Sequence, residues 1–119
     1  MLTVKEKGLL LSIIKHCERI GETVAGLSKQ EFDSSEMIKD ILCFNLLQIG
    51  ELAKRFEPNF IKEYGNVPWK SIKGMRDRIV HGYGTILFDE VWNTAIKDIL
   101  PLKGYCEKII EENKQTNQW

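Results

Sequence analysis

The sequence predicts an all-α fold, an antiparallel four- to five-helix bundle of the up-and-down kind. Three observations lead there. Apolar residues recur at three- and four-residue steps through the long stretches of the chain. Pro58, Gly65 and Pro68 fall between those stretches, and no run alternates apolar with polar residues over strand length.

Taken in order, Leu9, Leu10, Ile13, Ile14, Cys17 and Ile20 form the stripe of a first helix from about Val4 to Ile20, ended by Gly21. Gly26 opens a loop. Ser28 with Glu31, flanked by Leu27 and Phe32, has the pattern of a capping box with a hydrophobic staple, so a short helical turn follows. A second long helix spans about Ser34 to Phe56, with Ile38, Ile41, Leu42, Ile49, Leu52 and Phe56 turned inward. Pro58 and Gly65 bracket a short third helix, since proline suits a first helical position and glycine the residue after a last one. Pro68 opens a fourth, with Trp69, Ile72, Met75 and Ile79 inward, stopping near His81 before Gly82 and Gly84. Asp89 caps a fifth helix carrying Val91, Trp92, Ile96 and Ile99, which Pro101 kinks or ends before helix resumes from Leu102 to Glu112. Residues 1–113 read as one helical domain and 114–119 as a polar tail that includes Trp119.

Composition narrows the class. With 119 residues, 43% hydrophobic and 29% charged, the chain suits one globular core. Its longest apolar patch near the start, Leu9 to Ile14, is interrupted by Ser12 and is too short for a signal peptide or a membrane span. Cys17, Cys43 and Cys106 are odd in number and lack metal-ligand spacing, which fits reduced thiols and a cytoplasmic location. Seventeen basic and seventeen acidic residues cancel, so any pull on nucleic acid is local. That local excess exists: residues 69–84 carry Lys70, Lys73, Arg76 and Arg78 against Asp77 alone.

The same segment holds RDRIVHGY, residues 76–83. Arg76 lies on the border of the apolar stripe, four after Ile72 and three before Ile79, and an arginine held partly inside needs an anion or a carboxylate. Arg76 and His81, five apart, are separated by about 140° on a helix and do not face together. A joint site requires either a turn at Gly82 that brings His81 back or a second copy of the chain. Asp77 and His81 do share a face, so the carboxylate is placed to accept from the imidazole. Lys73, Asp77 and His81 at four-residue steps are equally what a solvated helix face looks like. Asn45 also sits on an inward stripe, four from Ile41 and four from Ile49. It is either a satisfied core amide or, with Gln48 and Glu51, part of a site or a subunit interface.

Arg76, His81 and Tyr83 together resemble the R-x4-H-x-Y signature of the HepT-like branch of the HEPN superfamily. QIGELAKRF at 48–56, VPWKSIKGMRDR at 67–78 and VWNTAIKDILPLK at 91–103 are similar to segments of those proteins, in the same order. Gly84 departs from the aromatic residue common there, and Leu52 from alanine. The resemblance implies an all-helical homodimer acting as a metal-independent endoribonuclease without a cofactor, the toxin of a type VII toxin–antitoxin pair. It implies Arg76 and His81 as the catalytic residues with Asp77 supporting. Its partner would be a minimal nucleotidyltransferase antitoxin that adds AMP to Tyr83, and its substrate RNA. Arginine and histidine suit that chemistry, because guanidinium forks onto phosphate oxygens and imidazole exchanges protons near neutrality. Lys70, Lys73 and Arg78 are candidates for RNA phosphate contacts. An alternative reading makes the chain a non-catalytic nucleotide- or substrate-binding subunit of a small nucleotidyltransferase, with Arg76 and His81 holding a phosphate. A third makes it a plain interaction subunit.

Overall fold

The computed structural model describes residues 1–82 and 88–116. Its helices are α1 (Val4–Val24), α2 (Lys29–Asp33), α3 (Glu36–Ala53), α4 (Pro58–Glu63), α5 (Trp69–His81), α6 (Phe88–Asn93) and α7 (Ile99–Thr116), with a π-helical turn at Thr94–Asp98 joining the last two. No strand occurs among the described residues. The fold is an all-α bundle: α3 lies between α1 and α5, and α1 also packs on α7. No described helix is long and apolar enough to cross a membrane.

Local chemistry sets the ends. Thr3 and Glu6 close a capping box at the start of α1, and Ser28 and Glu31 close another at α2, each pair satisfying two otherwise orphaned N–H groups. The first helix runs through Gly21 to Val24 rather than stopping at the glycine. Gly21 costs helix propensity, but termination comes only at Gly26, whose φ of +70° is the left-handed conformation a glycine tolerates. The second long helix is shorter than the spacing predicts: Ser35 caps it, accepting from the Ile38 N–H, and it ends at Ala53. Asp89 lies inside the first turn of α6 instead of capping it, a position where its charge still favours the helix dipole.

Pro101 neither ends α7 nor separates it from α6. The π-helical turn just upstream widens the helix where the proline ring would otherwise crowd the preceding turn's carbonyl, so helix continues on both sides. It reaches Thr116, three residues into the polar tail. Trp119 lies outside the described residues.

The core forms where Leu10, Ile13, Leu42, Ile49, Val91 and Cys106 meet, all essentially without exposure. Phe56 and Phe60 stack at 4.2 Å between centroids and Trp69 tilts against both. The Trp69 indole N–H donates to the Tyr64 carbonyl at 2.9 Å, which fixes the start of α5. That anchor matters because α5 carries the charged motif. Cys17, Cys43 and Cys106 are all free; burial pushes the Cys17 and Cys106 thiols up to about 12.

Ile41 departs from its expected place in the core. It is exposed, together with Met37 and Phe44, because α3 buries one flank against α1 and another against α5 and leaves the third uncovered.

Candidate active site

Where α3 crosses α5, Gly50 faces Arg76. A Cβ added at Gly50 would overlap the Arg76 Cβ and come within 2.7 Å of its Cγ, so only glycine admits the arginine stem at this depth. One residue on, Glu51 takes the head group: the Arg76 Nε–H donates to the Glu51 carboxylate. Arg76 Nη1 donates to Asp77 Oδ1 at 2.9 Å. The side chain of Arg76 is only 16% exposed. The carboxylate partner expected for a half-buried arginine is therefore present, and it comes from the neighbouring helix.

The charges reinforce one another. Bonds to Asp77 first, and then to Glu51, raise the guanidinium above its ordinary range. Arg76 in turn holds the Glu51 carboxyl below the usual carboxylate range, despite some desolvation. Both stay ionised at neutral pH.

His81 is the last residue of α5 and is exposed. The Gly82 N–H still donates to the Arg78 carbonyl at 2.9 Å, so the helical turn persists to the end and does not fold His81 back. Arg76 and His81 thus sit about 140° apart around one regular helix. Asp77 is bonded to Arg76, and among the described residues it makes no bond to His81, contrary to what their shared face suggests. Tyr83, with Gly84, lies outside the described residues.

The other candidates divide. Asn45 is a satisfied core amide, only 5% exposed: its Nδ2 donates to the Ile41 carbonyl at 2.8 Å and its Oδ1 pairs with His16 Nδ1 at 2.8 Å. Since Oδ1 only accepts, the His16 Nδ1 carries the proton. Gln48 is half-buried, and Glu51 joins Arg76. Lys70 and Lys73 are exposed along a shallow groove between α4 and α5, whereas Arg78 is engaged by Glu90 at 3.0 Å. Among the described residues no three His, Cys, Asp or Glu side chains are grouped to hold a metal ion.

Two features escape the motif. Gly50 is one, although a glycine inside an apolar helical run is itself a signal of close backbone approach. The other is the uncovered face of α3: Met37, Ile41, Phe44, Gln48 and Glu51 follow one another at steps of four, three, four and three, which places them on one line of the helix. The first three are exposed hydrophobics, and the last holds Arg76.

Known proteins share this sequence pattern. A family model described as Ribonuclease HepT-like matches residues 13–109. A protein of Caldanaerobacter subterraneus subsp. tengcongensis, named for an expected RNase activity, is 31% identical over 102 residues, 86% of this chain and 91% of that protein. A similarly named protein of Methanocaldococcus jannaschii is 30% identical over 106 residues, 89% of this chain and 88% of its own. A Thermococcus cleftensis protein named probable ribonuclease HepT is 30% identical over 89 residues, 67% of this chain and 81% of its own. No solved structure is a significant match. The chain belongs to the HepT-like ribonuclease family.

Proposed function

We propose that the chain is a metal-independent endoribonuclease whose working unit is a homodimer, and that it acts as the toxin of a toxin–antitoxin pair. The observation that carries this is the placement of Arg76. Its guanidinium is held at the α3–α5 crossing, at the end of an uncovered apolar line on α3, while His81 points about 140° away on the same helix. One copy does not complete the pair, and a second copy docked on the α3 face brings its own motif to the first.

In the proposed reaction the RNA 2′-oxygen attacks the adjacent phosphorus while its proton passes to a neutral imidazole. The P–O5′ bond breaks, and the departing 5′-oxygen takes a proton from water. The products are a 2′,3′-cyclic phosphate and a 5′-hydroxyl. His81 of one copy is that base for the Arg76 of the other, since an imidazole exchanges protons near neutrality, and such proton transfer is typically worth about 10² to 10⁴ in rate. Arg76 stabilises the negative charge that builds on the phosphorane oxygens. Lys70 and Lys73 guide the RNA backbone along the α4–α5 groove.

The names of the relatives support the ribonuclease reading. Under it, the antitoxin is a minimal nucleotidyltransferase that adds AMP to Tyr83, and the phosphate of that adduct, two residues from His81, blocks the site by charge and bulk. The test is incubation of unmodified protein with RNA in EDTA. Cleavage that leaves cyclic-phosphate ends, and that Arg76→Ala and His81→Ala abolish, is expected. A dimeric, unmodified wild type that cuts nothing instead favours the nucleotide-binding subunit.

A further inference from the structure

Arg76 is fixed at three points along its length, and two of them come from adjacent residues of α3. Gly50 admits the stem against the helix backbone, Glu51 accepts from Nε, and Asp77 accepts from Nη1. Among the described residues two of the five guanidinium N–H donors are used, which leaves one on Nη1 and both on Nη2 for an anion.

Stability does not account for the Glu51 bond. The Glu51 side chain is 38% exposed, and ion pairs screened by water add little to folding. What the bond does fix is orientation. An arginine has several freely rotating bonds, and a guanidinium that must be ordered anew at each turnover binds a transition state less well than one already aimed.

We propose that Glu51 is a positioning residue for the cleavage reaction, holding the Arg76 guanidinium so that its Nη edge is presented to the phosphorane. The inference rests on the ribonuclease reading above and deepens it. Glu51 is not the base. A carboxyl that Arg76 holds below its ordinary range accepts protons poorly at neutral pH, and its accepting oxygen is already committed to Nε. The bond is needed in its geometry and not in its charge, so an uncharged acceptor of the same shape can replace it.

The experiment compares wild type, Glu51→Gln and Glu51→Ala in kcat, KM and pH profile on one labelled RNA, with the Arg76 side-chain Nε–H resonance followed by ¹⁵N NMR. Arg76→Lys identifies that signal by its loss. Expected is a slowly exchanging Nε–H in wild type and Glu51→Gln that vanishes in Glu51→Ala. Glu51→Ala should lose about 30- to 100-fold in kcat with KM nearly constant, the size typical of a misplaced catalytic group. Glu51→Gln should keep kcat within about threefold, with the pH profile unmoved. Equal kcat in folded, dimeric Glu51→Ala overturns the inference alone. So does a Glu51→Gln that loses activity together with the acidic limb of its profile, since that marks a base. A fast-exchanging Nε–H in wild type overturns it as well. A wild type that cleaves no RNA removes the ribonuclease reading and this inference with it.

Discussion

Gly50 and Arg76 touch backbone to stem across the α3–α5 crossing, with no room for a single added methyl group between them. The contact sets how deep the arginine lies and delivers its head to Glu51. Gly50→Ala therefore meets two opposing effects. Alanine favours a helix interior over glycine by about 1 kcal/mol, while overpacking at a tight contact costs about 1–3 kcal/mol. Net destabilisation of about 0–2 kcal/mol in urea melts is expected, with a loss of about 100-fold in RNA cleavage by the molecules that remain folded. Activity equal to wild type would show that the crossing does not set the arginine.

The uncovered line on α3 predicts its own response. Phe44 is 54% exposed and Met37 73%, so a charge there leaves the core untouched. Phe44→Asp and Met37→Asp should keep helicity and melting midpoint, yet run as monomers in sedimentation and lose cleavage together. An active monomer would refute the shared site.

Asn45 should behave differently, as part of the core. Asn45→Ala removes the acceptor of the His16 Nδ1–H in a half-buried setting. A cost of about 1–3 kcal/mol in denaturant melts is expected, from leaving that donor unsatisfied, with cleavage per folded molecule unchanged. A loss of kcat without a loss of stability would move Asn45 into the site.

Thiol chemistry gives a pH prediction. Burial raises Cys17 and Cys106 to about 12 in the folded chain, against about 8.5 unfolded, so folding favours the protonated thiols. That contribution is complete below the unfolded value and is lost as pH climbs through the folded one. The urea midpoint should fall progressively above about pH 8.5, and a Cys17→Ala, Cys106→Ala double variant should fall less steeply. Iodoacetamide at pH 8 should label both thiols only after unfolding; ready labelling of the native chain would contradict their burial.

How much of this the sequence discloses depends on how local each cause is. Ser28 with Glu31, Pro58 at the start of α4, and Trp69, Met75 and Ile79 along α5 are legible because capping and periodicity act within a turn or two. Arg76 at the edge of a stripe already calls for a carboxylate. Which one it takes is not local: Asp77 is adjacent, but Glu51 is 25 positions away, and only the helix crossing at Gly50 brings it close. Ile41 misleads for the same reason, since periodicity identifies an apolar face without saying whether this chain or another covers it. The π-helical turn before Pro101 is likewise a compromise between a proline and two packed flanks, and no short motif spells it.

The central claim is that Arg76 of one copy and His81 of another work in one site. It is tested most directly by mixing two inactive variants. Arg76→Ala and His81→Ala, each purified, are mixed in equal amounts, allowed to exchange subunits and assayed on RNA in EDTA. Random exchange makes half of the dimers mixed, and each mixed dimer retains one intact combination, so recovery of about a quarter of wild-type activity is predicted. A mixture that exchanges subunits fully, as shown by mass, and stays as inactive as either parent would contradict the account.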